Sequence, residues 1–565
     1  MIKKERLAVL ICAAGLLILL AGSALAAYPE LQLSWKTGGQ EISVRLWEDS
    51  KRNYVLYVPG AVGDSDPEIR IDQNTDLIWA GETYENGSAL PVSRFVGQTV
   101  ATSFTNGRAL GNVKVMQGSA IPSLFFTVTK EDLNRVTVNQ KRDIKSPASV
   151  IMLSGDGSLE TAQSLTSFKV HGNSTFFAGK KAYAFKLEKK ADLGGMGRNK
   201  RWILLANWFD ISLIRNQITF DLCREIGLTS TPDCRPADLY INGRYYGAYL
   251  LTEKIQLKKS RLEIRDLEEE YELVNGKEAY DKAKFKKGTG KAVHILKWFN
   301  VKEEPEDVTG GYLLEIEKAL QFSQNLDCAG FVTDGQMCVV IKEPTHAGKA
   351  AVQYISGLVN DFHNAAMAPD GMNKKRGTYY AEYIDMRSFA RKVAVEEFCA
   401  NYDVRAASQF MYKDADSADP LLYAGPGWDY DLSYGNKDDG MRNPLKIDYV
   451  YTKSSNTAYL YHWLLTHEDF RKLTRQVYEE EILPAAEILL GRREAPAGSA
   501  MKSVARYQAD IAESAAMNFT RWVARAIPDR TDESGNTFED AGRFLLDWIG
   551  KRTDALTAGW LTEGK

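Results

Sequence analysis

The stretch Ala237-Asp238-Leu239-Tyr240-Ile241-Asn242-Gly243-Arg244-Tyr245-Tyr246-Gly247-Ala248-Tyr249-Leu250-Leu251-Thr252 reads as a β-hairpin. Two apolar and aromatic runs flank Asn-Gly, the dipeptide best suited to the two left-handed positions of a tight hairpin turn. On its N-terminal side, 149–153, 167–170 and 182–187 are short strand-like runs, and 212–226 has helical periodicity stopped by Gly227. On its C-terminal side, 257–306 is rich in Lys and Glu and reads as an exposed insertion or a charged helical region. Helical patterns then dominate, at roughly 350–366, 386–401, 457–490, 500–526 and 538–556. Strands first and helices later predict an α+β fold, a sheet-rich lobe followed by a helical one. Ligands commonly bind between such lobes.

Ahead of this domain, assigned to 145–560, the pattern from 28 to 144 is strand-like throughout. Runs such as 41–47 and 54–58 are punctuated by Gly60, Gly63-Asp64, Asn86-Gly87 and Asn106-Gly107. A small all-β accessory domain fits, and it holds no constellation with catalytic character. Residues 1–27 begin with Lys3, Lys4 and Arg6, carry no charge from 7 to 27, and end Gly22-Ser23-Ala24-Leu25-Ala26-Ala27. That is the layout of a secretory signal peptide, and an uncleaved membrane anchor is the alternative. Either reading makes the rest secreted or extracytoplasmic, touching a membrane only through that segment.

With 565 residues, 26% charged, and a net charge of −3, the chain has ample core and no basic surface for nucleic acid. Six scattered histidines and no Cys-x-x-Cys pair argue against a zinc site. Beyond the N-terminal segment, Cys223–Cys234 and Cys328–Cys338 are spaced as two local disulfides would be, leaving Cys399 over.

Two acidic stretches carry the chemistry. Asn401-Tyr402-Asp403-Val404-Arg405 sets one carboxylate beside a cation. Gly427-Trp428-Asp429-Tyr430-Asp431 sets two carboxylates one residue apart behind the turn Gly425-Pro426. Phosphoryl-transfer enzymes divide their labour this way, one carboxylate serving the nucleophile's proton and another holding Mg²⁺. If Asp429–Asp431 is extended, both acids face one side and Trp428 and Tyr430 the other. A surface ion pair for Asp403 and Arg405, and an amide-accepting turn for the Asp pair, remain open readings.

An ordered series of motifs surrounds these acids. His171-Gly172-Asn173-Ser174-Thr175 precedes Lys180-Lys181-Ala182-Tyr183-Ala184-Phe185-Lys186-Leu187, then Trp202-Ile203-Leu204-Leu205-Ala206-Asn207 and Asp210-Ile211-Ser212-Leu213-Ile214-Arg215-Asn216. Tyr240-Ile241-Asn242-Gly243, Gly247-Ala248-Tyr249-Leu250-Leu251-Thr252-Glu253-Lys254 and Gly310-Gly311-Tyr312-Leu313-Leu314-Glu315 follow, ahead of the two acidic stretches. From about 145 to 560 the chain resembles the CotH kinase family, named for a spore-coat protein and built on an atypical protein-kinase-like fold.

The resemblance implies a secretory-pathway protein kinase that uses ATP and Mg²⁺ or Mn²⁺ on a protein substrate, such as a surface or coat protein. Asp403 matches the catalytic Asp, and Arg405 falls where it could steady the γ-phosphate. Asp429 and Asp431 match the metal-binding end, and Gly435 would lend flexibility. Ser408 stands where ordinary kinases place a metal-binding Asn; its hydroxyl is a third candidate metal ligand, though a weaker one, which leaves open a weakly active or inactive kinase-like scaffold in cell-surface or spore-coat assembly. Lys181 and Lys186 are candidates to reach the phosphates, or edge-strand solubilising charges. Arg215 and Glu253 would pair with phosphate and with lysine, or form buried structural salt bridges.

Overall fold

The hairpin forms around Asn242-Gly243. Cys234–Ile241 pairs antiparallel with Arg244–Glu253, and Asn242 and Gly243 take φ of 51° and 76°. The computed structural model describes residues 29–48, 53–138, 144–288, 295–324, 327–405, 407–437, 443–448, 450, 459–522 and 537–562. The signal-like segment 1–27 lies outside the described residues. Among the described residues, no helix is long and apolar enough to cross a membrane.

The chain divides into two units. The first comprises Asp64–Gln117 and the described residues up to Val58. It is built of strands in two sheets, one of three strands around Leu31–Thr37 and one of six running from Trp47–Glu48 to Glu82–Tyr84. Alternation buries Leu33, Val44 and Ile69 in the first sheet and Val113 and Val115 in the second.

The second unit is Pro59–Gly63 with Gly118–Lys565, so the boundary falls near 118 instead of 145. The reason is the strand Ser123–Thr127. It runs parallel to Cys234–Ile241 and closes a seven-stranded barrel with Ser146–Leu153, Leu159–His171, Ala182–Asp192, Arg198–Leu205 and Arg244–Glu253. The barrel interior is filled by alternate residues: Tyr183, Phe185 and Leu187 from one strand meet Phe126, Phe168 and Trp202 from others. The Phe168 and Tyr183 rings stack with centroids 4.9 Å apart.

A second seven-stranded sheet follows in the order Lys284–Lys287, Leu296–Asn300, Gly330–Val332, Cys338–Glu343, Tyr312–Ile316, Gln409–Lys413, Leu422–Ala424. Helices Lys349–Met367, Met386–Cys399 and Phe538–Thr557 bury their apolar faces in the same core as this sheet. The charged stretch 257–306 is thus not simply a solvated surface. It supplies two strands and the short helices Leu267–Asn275 and Lys277–Asp281, and it buries Leu267, Tyr271, Tyr280 and Phe299.

The predicted helix 457–490 is broken, within its described part, into Leu460–Leu464, Glu468–Val477 and Leu483–Leu489, the last two joined through a wider turn at Tyr478–Ile482. No disulfide joins Cys223 to Cys234 or Cys328 to Cys338. The spacing along the chain suited a bridge, but Cys223 faces the Tyr430 hydroxyl at 3.9 Å and Cys234 opens a barrel strand.

Arg552 ties the last helix to the core. Fully buried, it donates to the Glu397 carboxylate at 2.6 Å and to the Lys446 carbonyl at 2.6 Å. Arg552→Leu removes the buried cation that Glu397 faces and should lower stability by about 3–5 kcal/mol. A fall in the urea midpoint at unchanged slope would register it.

Candidate functional site

Helix Met386–Cys399 ends at Ala400, which takes a left-handed φ of 46° and turns the chain sharply. Asn401 follows, fully buried, and its side-chain oxygen accepts the Asp403 N–H at 3.1 Å. A single helical turn, Tyr402–Arg405, then presents the Asp403 carboxylate to Lys318 at 3.3 Å. Ser408, at φ 55°, donates its hydroxyl to Asp429 at 3.0 Å.

The Asp429–Asp431 segment is not extended. Asp429 sits at φ 67°, so strict alternation does not place its side chain. Anchoring does that work. The Tyr430 N–H donates to Asn216 at 2.8 Å, and the Tyr430 hydroxyl meets Lys392 at 2.9 Å and Glu396 at 3.0 Å. Trp428 stacks on Phe220 at 5.6 Å while Tyr430 meets the same ring edge-on at 6.2 Å. The aromatic residues are therefore drawn together on the barrel-side helix Arg215–Glu225, and the two acids stay near Asp403.

Burial, the Asp403 charge and Glu315 raise the Asp429 carboxyl to about 7, against the pull of the Ser408 hydroxyl and Lys318. Burial, with Asp429, Asp403 and Asp210 nearby, raises Asp431 well above the usual carboxylate range. These are like charges gathered with little counter-charge. Perturbation of this kind marks functional sites.

A family model described as CotH kinase protein matches residues 168–556. The chain belongs to this family. No curated protein matches it.

In this CotH-family chain the structure brings Asp403, Ser408, Asp429 and Asp431 together, and it engages the other candidates elsewhere. The Arg405 backbone closes the helical turn, and its side chain lies outside the described residues. Lys181 precedes the strand and donates to the Phe176 carbonyl at 2.6 Å. Lys186 stands on the barrel exterior among Arg201, Lys200 and Lys277. Glu253 pairs with Arg261 and accepts the Asp233 N–H at 2.9 Å.

Arg215 is fully buried, bonds Asp210 at 2.5 Å and donates to the Ser433 carbonyl at 3.1 Å. Its partner is thus the backbone behind Asp431, and the Asp210-to-Asn216 motif is a helix start that grips the acidic segment. Gly435 is fixed by packing: at φ 75°, an added Cβ would lie 2.6 Å from the Trp548 indole nitrogen. That close approach leaves room only for glycine.

Lys318, Asn401 and Asn216 were not legible as site residues, because nothing local distinguishes them. A basic wall was missed as well. Lys254, just past the barrel strand Arg244–Glu253, is pushed down to about 8 by burial, with Glu343 opposing and Arg201, Lys342 and Lys169 adding to the fall. His171 is pushed down to about 4 by burial and by Lys169, Lys254 and Lys342. These groups come from barrel strands and from Cys338–Glu343 of the second sheet, so the two β systems bring their basic groups near one another.

Because Asp429 holds its proton in the folded chain up to about pH 7, and releases it lower when unfolded, it costs stability as pH rises from about 4 to 7. In metal-free buffer, Asp429→Asn should raise the melting temperature strongly at pH 8 and by clearly less at pH 5. Thermal unfolding at both pH values checks this.

Proposed function

We propose that the site transfers the γ-phosphoryl group of ATP to a hydroxyl of a protein substrate, with Mg²⁺ or Mn²⁺, outside the cytoplasm. The observation that carries this reading is the gathering of Asp403, Asp429 and Asp431 with Lys318 as the main nearby cation. Among the described residues, no three His, Cys, Asp or Glu side chains already form a metal-ligating group. A Mg²⁺-type ion here would therefore draw on one or two carboxylates and complete its shell with phosphate oxygens and water. Asp429 and Asp431 would hold it, and the bound ion would neutralise charge on the phosphates.

The chain's own groups then divide the work. Asp403, presented on a one-turn helix, orients the substrate hydroxyl and accepts its proton as the oxygen bonds to the γ-phosphorus. The bond to the bridging oxygen breaks and ADP leaves. Ser408 fixes Asp429 by its hydroxyl. Lys318, half exposed, can leave Asp403 for a phosphate oxygen at little cost, since exposed ion pairs are worth about 0–1 kcal/mol. Lys254 and Arg201 supply positive charge from the barrel side.

The second reading is a binding scaffold in cell-surface or spore-coat assembly, and Ser408 in place of a metal-binding amide favours it. Incubation with γ-labelled ATP and Mg²⁺ or Mn²⁺ decides between them. Autophosphorylation or labelling of a casein-like substrate is expected, and it should fall about 100-fold or more in Asp403→Asn. Folded protein that binds nucleotide yet labels nothing would leave the scaffold reading standing. In the active protein, Lys254→Met should raise KM for ATP more than it lowers kcat.

A further inference from the structure

A cavity of about 150 Å³ lies beyond the end of the barrel strand Arg244–Glu253, apart from the three aspartates. Arg224, Thr231, Asp233, Glu253, Gln256 and Arg261 line it, and Lys254 joins it to the basic wall. Each oxygen of its two carboxylates already has a partner. Glu253 takes Arg261 and the Asp233 N–H, while Asp233 takes Arg235 at 2.5 Å and the Cys234 N–H at 2.8 Å.

Its donors are not. Arg261 is 2% exposed at its side chain, stacks over Trp202 at 4.8 Å, and spends one terminal nitrogen on Glu253 and on the Met196 and Ser260 carbonyls. Its Nε and other terminal nitrogen are buried without a partner. The Gln256 side-chain nitrogen, on a residue 3% exposed, is likewise buried without one. Every unpartnered buried side-chain nitrogen or oxygen among the lining residues is therefore a donor. A buried donor left unmet costs about 1–3 kcal/mol, and more on a charged group.

We propose that this cavity is a binding site for a small oxyanion, a phosphate group or a carboxylate, held by the Nε–Nη edge of Arg261 and the Gln256 amide. The ligand must be rich in acceptors, because the unmet groups only donate. It must be planar or forked in its oxygens, because the free edge of a guanidinium offers two parallel N–H groups. The cavity is large enough for an oxyanion with one or two waters. The acids that would repel an anion are neutralised by their own partners, and Arg224 adds a further cation at the rim. The site does not depend on the phosphoryl-transfer reading.

The test uses the full chain in calorimetric titrations and thermal-shift assays with inorganic phosphate and with malonate, each against sodium chloride of equal ionic strength. Saturable binding of one probe, beyond the chloride control, is expected, and the stronger probe tells phosphate from carboxylate. Gln256→Leu, which keeps the packing volume, and Arg261→Lys should each weaken it about tenfold or more. Asp429→Asn should leave it unchanged, since that change lies in the other site. If Arg261→Lys does not fold, Gln256→Leu and the wild-type titration still decide. Binding no stronger than chloride, meaning a cavity that holds only water, would overturn the proposal. So would binding that survives Gln256→Leu, or binding lost in Asp429→Asn.

Discussion

The anchoring of Tyr430 is the constraint on which the acidic site rests. Its ring sits against Phe220, its amide is held by Asn216, and its hydroxyl closes a buried triangle with Lys392 and Glu396. Those partners come from a helix beside the barrel and a helix of the C-terminal core, so one residue ties both to the segment between two aspartates. The tie works against real opposition. Two buried carboxylates repel, and Ala400, Ser408, Asp429 and Tyr434 all adopt left-handed backbone, at about 1–3 kcal/mol each. Hydrogen bonds to charged groups contribute about 1.5–3 kcal/mol apiece, so several are needed to hold this arrangement. Arg215 on the Ser433 carbonyl and Thr219 on the Tyr434 hydroxyl at 2.9 Å supply more.

The periodicities made the hairpin, the barrel strands from 149 to 187 and the long helices legible, because burial on one face writes itself into the order of residues. The convergence of Asp403 with Asp429 and Asp431 was legible only through the ordered motif series. Charge inside an apolar segment was the weaker guide. For Arg215 and Glu253 it signalled burial correctly but not whom they face. Lys186 stands on the barrel exterior, and alternation alone cannot say what lies opposite an outer face.

The domain boundary was missed because Ser123–Thr127 finds its parallel partner more than a hundred residues later, a pairing no local pattern carries. The disulfides were misread because spacing along the chain says nothing of how Cβ atoms approach. In 257–306, surface charge masked Tyr271 and Tyr280, whose rings stack at 5.5 Å in the core.

The second unit thus keeps two electrostatic deficits apart. One region has carboxylates without enough cations, and the other has donors without acceptors. Each departs from the usual rule that buried polar groups find partners. Both sit at ends of barrel-linked elements, where side chains converge and the backbone is firmly held.

The outermost strand of the second sheet, Lys284–Lys287, has its own consequence. Closure leaves the barrel without an open border, but this sheet must end somewhere, and among the described residues it ends on Lys284-Phe285-Lys286-Lys287. An unpaired strand invites another chain to add to it, and a row of lysines makes that addition repulsive. Those lysines would guard the one border of this sheet that the fold leaves open on that side against indiscriminate β-pairing.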